Sequence, residues 1–150
     1  NHGARLTLEP WIFTGADDLA FRPGWADEAI SFAEANQLRA VGINDLGRWS
    51  IRRRRLSPAP HFLVHRSYLS SGTADQPGKL FHEGYDHNFV DNEFAMTAVA
   101  RGVYAYCEDA VVEHLHPFWR KGAKDEIYKL GRLYNREDLA LFLQREHLWT

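Results

Sequence analysis

Short apolar runs alternate along this chain with stretches of helical periodicity, and that alternation leaves few architectures open. The segment from Glu9 to Thr14 carries the β-branched and aromatic run Trp11-Ile12-Phe13-Thr14 and stops at the polar turn Gly15-Ala16-Asp17-Asp18. It reads as a buried strand that delivers two carboxylates at its C-terminal end. After Arg22-Pro23-Gly24, the residues Trp25, Ala29, Phe32 and Ala33 share one face of a helix running from Trp25 to Asn36. Leu38 to Ile43 is a second strand that closes at Asn44-Asp45, and His61 to His65 is strand-like. From Asp91, the positions Phe94, Ala95, Ala98 and Val99 repeat at helical spacing until Gly102, a residue suited to ending a helix. Val103 to Tyr106 and Ala110 to Val112 are again strand material, leading into Glu113-His114-Leu115-His116-Pro117. Strands alternating with helices predict an α/β fold with polar chemistry at the strand ends.

Between these elements lie a basic run, Arg52 to Arg55, flanked by Pro58 and Pro60, and a Ser/Gly/Asp/Pro-rich stretch from Ser70 to Gly78. Both read as surface loops, the second a mobile one. The tail from Lys124 to Trp149 is charged and amphipathic, with Leu130, Leu133, Leu139, Phe142 and Leu143 as its apolar side. With 150 residues, 45% hydrophobic and 25% charged, the chain suits one globular domain: residues 1–123 as the chemical portion and 124–150 as a helical tail packed on it. Eighteen basic against twenty acidic residues give a net charge of −2, so no whole-molecule field points to nucleic acid. No apolar run reaches the ~20 residues of a membrane span. The single cysteine, Cys107, excludes an internal disulfide and points to a reducing compartment, hence a cytoplasmic expectation.

Three groups of residues carry chemistry. Asp17-Asp18 places adjacent carboxylates at a strand end, where a hard divalent cation would relieve their repulsion; alternatively they begin a loop and cap the next helix. His114 and His116 lie two apart, so in extended chain their imidazoles address one point and suit Mn²⁺ or Zn²⁺, or else they pair with acids such as Glu113. In Tyr85-Asp86-His87-Asn88-Phe89-Val90-Asp91-Asn92-Glu93-Phe94, Asp91 is either a helix N-cap or a general base facing a cleft, with Glu93 a first-turn acid and a candidate acceptor or phosphate contact. Arg53, within its basic run, and Trp119, beside Arg120, are candidates for phosphate and sugar contacts; Trp49 is a further stacking candidate. His61 and His65 read as packing residues, and Trp11 and Trp25 as core.

Taken in order, these stretches resemble the second half of a family 2 type glycosyltransferase of the GT-A fold. The resemblance rests on Trp11-Ile12-Phe13-Thr14-Gly15-Ala16-Asp17-Asp18 followed by Pro23-Gly24-Trp25, on Phe89-Val90-Asp91-Asn92-Glu93-Phe94 through Arg101-Gly102, and on Asp109-Ala110-Val111-Val112-Glu113-His114-Leu115-His116. It covers about residues 8 to 120, with Ala16 at the first acidic position of the D-x-D-like element and Val90 where an acid commonly precedes the base. The resemblance implies a GT-A-like, Rossmann-related mixed sheet flanked by helices and lacking the N-terminal nucleotide-binding half, which a longer chain or a partner chain would supply. It implies a Mn²⁺ (or Mg²⁺) ion held by Asp18, His114 and His116, donor contact from Asp17, and Asp91 as base. The implied reaction moves a sugar, with inversion, from a nucleotide-sugar donor to an acceptor hydroxyl. The rival expectations are a metal-dependent hydrolase or nuclease, and a non-catalytic glycan-binding or assembly module.

Overall fold

Alternation within the central strands fixes the layering. In β3 (Ala40–Asn44), Val41 and Ile43 face one way and Ala40 the other; in β4 (Phe62–His65), Leu63 opposes Phe62 and Val64, and all six are buried. Strands apolar on both faces need cover on both. Helix α2 (Trp25–Ala35) supplies Ala29 and Ala33 to Val41, Ile43 and Leu63, while α3 (Val90–Ala100) supplies Phe94, Ala95 and Ala98 to Phe62 and Val64. Fully burying a side chain such as Phe62 contributes about 1.5–3 kcal/mol. The result is a mixed α/β structure, here a computed structural model that describes residues 1–47, 59–117, 120–124, 126–131 and 133–150.

Five strands form the sheet in the order β1–β4–β3–β5–β2, with β1 (Trp11–Thr14), β2 (Leu19–Phe21) and β5 (Tyr104–His114) completing it. β3 and β5 run parallel, and the other neighbours run antiparallel. This polarity brings the C-terminal ends of β1, β3 and β5 and the N-terminal ends of β2 and β4 to one edge, and that is where the site forms. Gly42 is required in β3 because a Cβ there would overlap the hydroxyl of Tyr104, which accepts the Ala59 N–H at 3.1 Å. Gly102, at φ +67°, ends α3, with Val103 N–H returning to the Ala98 carbonyl at 3.1 Å.

The remaining elements are α1 (His2–Leu6), a 3₁₀ turn at Arg66–Ser70, α4 (Glu126–Gly131), α5 (Asn135–Arg145) and a final 3₁₀ turn at Glu146–Leu148. Several sequence expectations change. The first strand is a half-buried edge strand rather than a buried one, and β2 follows it where only a turn was expected. The two strand segments after α3 are a single strand with a register shift: Ile43 pairs with Cys107 but Asn44 with Val111, and Asn44 Nδ2 bonds the Glu108 carbonyl at 2.8 Å. The stretch 70–78 is tethered, since Arg101 donates to the carbonyls of Gly72 and Thr73 at 2.7 Å each. In the tail, Leu130, Leu133, Leu139 and Leu143 are exposed, and the buried positions of α5 are Asp138 and Arg145. Among the described residues no helix is long and apolar enough to cross a membrane.

Candidate metal centre at the sheet edge

His114 is the last residue of β5, and its backbone decides what its ring meets. Its N–H donates to the Asp45 carbonyl at 3.0 Å, and the next N–H, of Leu115, donates to the Asp18 carbonyl at 2.9 Å. The imidazole is thus set between the residue that follows β3 and the residue that precedes β2. His114 Nε2 lies 3.0 Å from Asp18 Oδ1, while Nδ1 lies 3.2 Å from His61 Nε2 and 4.0 Å from Asp45 Oδ2. His61 stands immediately before β4, its carbonyl accepting the Ile43 N–H at 3.0 Å. Asp45 is fully buried, His61 nearly so, and the His114 side chain is 12% exposed.

Asp45, His61 and His114 can each offer one ligand atom with all three within 4.8 Å of one another. Two imidazoles and one carboxylate are a donor set that suits Mn²⁺, Fe²⁺ or Zn²⁺ better than Mg²⁺, which seldom takes imidazole. A metal-ligating imidazole usually gives its second ring nitrogen to a carboxylate, which orients the ring and raises its basicity. Asp18, with Oδ1 3.0 Å from His114 Nε2, is the carboxylate nearest to that place. The donor set therefore fits a divalent ion.

His116 lies against His114, ring centroids 4.8 Å apart, and against Tyr128 at 5.3 Å. Burial, together with the neighbouring His114 and His87, holds the His116 ring below the usual imidazole range, against an opposing pull from Asp18. The neutral ring, the form able to ligate, is thereby favoured.

A cleft of about 600 Å³ opens beside this cluster. Its walls include Thr14 at the end of β1 with Gly15 and Ala16 after it, His61 before β4, and His87, Asn88 and Asp91 at the start of α3. Asp91 is not the N-cap of α3: Phe89 holds that place at φ +63°, and Asp91 sits in the first turn. Burial pushes the Asp91 carboxyl above the usual range, against the backbone N–H bonds of Asn92 and Asp91 and the charge of His87.

Of the residues singled out in the sequence, Asp18, His114 and His116 are brought together, and Asp91 lines the adjoining cleft. Asp17 is exposed beside them. Glu93 points away from the cleft into a buried ion pair with Arg145, Nε to Oε2 at 2.8 Å. Arg53, Trp49 and Trp119 lie outside the described residues. His61, expected to pack, is at the centre of the cluster, whereas His65 stacks edge-on against Trp11 at 4.9 Å. Asp45 was missed as a candidate, although its place directly after an apolar strand run was a usable signal. Comparison with family models, curated proteins and solved structures returns no match for this chain.

Proposed function

We propose that this chain is the catalytic portion of a metal-dependent glycosyltransferase of the GT-A type, moving a sugar from a nucleotide-sugar donor to an acceptor hydroxyl. The observation that carries the reading is the 3.0 Å approach of Asp18 to His114, which joins the acidic element after β1 to the imidazole element at the end of β5, in a cluster whose His61 also lines the cleft containing Asp91. These are the stretches on which the glycosyltransferase resemblance rests. Open α/β sheets place ligands outside the carboxyl ends of their strands, and the cleft is walled at that edge by the end of β1 and the residues before β4.

In this reading Asp45, His61 and His114 would hold a divalent ion, with Asp18 orienting His114 and His116 beside it. When bound, the ion supplies positive charge for the diphosphate leaving group. The chain's own residues do the rest. Asp91 accepts the proton of the acceptor hydroxyl, and its raised carboxyl pKa makes it a stronger base once ionised. Thr14, Gly15 and Ala16 form a further wall of the cleft. Attack from the Asp91 side gives inversion at the anomeric carbon.

The test is transfer or donor hydrolysis with Mn²⁺ across UDP-, GDP- and dTDP-sugars, together with Asp91→Asn. General-base removal is expected to lower turnover by about 10²–10⁴-fold while metal affinity stays unchanged. Phosphodiester cleavage without a donor sugar would instead favour a hydrolase, and sugar binding indifferent to Asp91→Asn would favour a non-catalytic module.

A further inference from the structure

The C-terminal helix α5 presents an unexpected face to the start of α3. Asn135, Asp138, Phe142 and Arg145 follow helical spacing, and each meets the segment around Asp91. Asn135 lines the cleft that Asp91 lines. Asp138, 1% exposed, accepts three successive backbone N–H groups: Asp86 at 2.9 Å on Oδ1, and His87 at 2.9 Å and Asn88 at 2.6 Å on Oδ2. The Phe142 ring packs on Phe89 at 5.5 Å. Arg145, 8% exposed, bonds both Glu93 oxygens at 2.8 Å and reaches Asp75 at 2.8 and 3.0 Å. Tyr85 adds a hydrogen bond to Glu93 Oε2 at 2.7 Å.

Asp91 thus lies between two anchored points, the 86–88 backbone before it and the Glu93 side chain after it, both held by one helix. Between them Phe89 adopts φ +63°, a conformation that an aromatic residue keeps only where its surroundings enforce it. A stripe of polar side chains is a poor source of hydrophobic stability, but a carboxylate on successive N–H groups and a guanidinium fork on a carboxylate both fix direction. We infer that Asp138 and Arg145 are positioning residues: through the 86–88 backbone and Glu93 they set where the Asp91 carboxylate stands in the cleft. The inference rests on Asp91 being the base of the proposed transfer.

The test pairs Asp138→Asn with Arg145→Lys and reads two quantities. The first is the carboxyl titration of Asp91 by ¹³C NMR, where the titratable groups sharing its cleft are His61 and His87. The second is the split between kcat and donor KM with Mn²⁺ bound. Both variants are expected to bring the Asp91 midpoint down toward the ordinary range and to lower kcat about 10- to 100-fold, with donor KM and Mn²⁺ affinity within about twofold. Arg145→Lys changes no charge, so a midpoint shift there reports loosening of the loop rather than loss of a neighbouring anion; it also carries the test if Asp138→Asn does not fold. An unmoved Asp91 midpoint in the folded variants overturns the inference, as does a fall in Mn²⁺ affinity proportional to that in kcat. If the wild-type chain transfers no sugar yet the midpoint moves, the transferase reading fails and the positioning role stands.

Discussion

Two regions of this molecule bury charged side chains within a few ångströms of one another, and they do it in opposite ways. Under α5, a permanent cation meets its anions in matched geometry: the Arg145 fork against Glu93 and Asp75, with the Asp138 carboxylate against three N–H groups. At the sheet edge, Asp18 and Asp45 face the imidazoles of His61 and His114, groups whose charge depends on protons or on a bound cation. Burial costs both clusters solvation, but the first recovers it with fixed charges while the second uses titratable ones. The contrast separates a part built to hold shape from a part whose donor set fits a divalent ion.

Breaking the fixed cluster should have the largest effect. Arg145→Ala leaves the Glu93 carboxylate buried without its guanidinium, and a loss of about 3–5 kcal/mol in urea unfolding is expected. At the sheet edge the same kind of change should be felt in metal affinity. Asp45→Asn is expected to weaken Mn²⁺ binding more than ~100-fold by titration calorimetry, and Asp18→Asn by about 10–100-fold, because an orienting carboxylate matters less than a ligand. The reverse order would place the ion on the Nε2 side of His114, with Asp18 and His116.

Acid should sharpen the contrast with a smaller and more gradual effect. Hydrogen bonding to Arg145 holds the Asp75 carboxyl at about 2, against an ordinary value near 4. For Asp138, burial pushes the carboxyl up, but the N–H bonds from Asn88, Asp86 and His87 outweigh it and leave it below the ordinary range. Both groups are depressed on folding, so their contribution is fully present above pH ~4 and is lost as pH falls toward 2. Metal binding should fail earlier, because a ligand nitrogen must be free of its proton and imidazole is a stronger base than a carboxylate. Unfolding and metal titrations across pH 2–8 should therefore show two separate losses, metal first.

The sequence carried most of the architecture where periodicity was strong. The helix from Trp25 and the helix ending at Gly102 lie within two residues of expectation, and β3 and β4 fall on their apolar runs. It failed where an element is held by something other than its own pattern. β2 is three residues, two of them exposed, and exists through pairing with Val112 to His114. In α5 the visible leucine stripe is the wrong face, because Asp138 and Arg145 are buried by specific partners that no hydrophobic pattern records. At the site, spacing within one segment exposed His114 with His116. Asp45 and His61 needed the strand order, since a residue after β3 and a residue before β4 become neighbours only when those strands run antiparallel side by side.

The register shift in β5 has a consequence for how this chain can change. In an uninterrupted strand the facing of every side chain is coupled, and a slip of one residue inverts them all. Here Cys107 answers to β3 and Val112 to β2, with the irregular stretch between them taking up the mismatch. Length variation at 108–110 is therefore absorbed locally: the core half of the strand and the half that carries His114 can drift apart in sequence without either turning the other inside out.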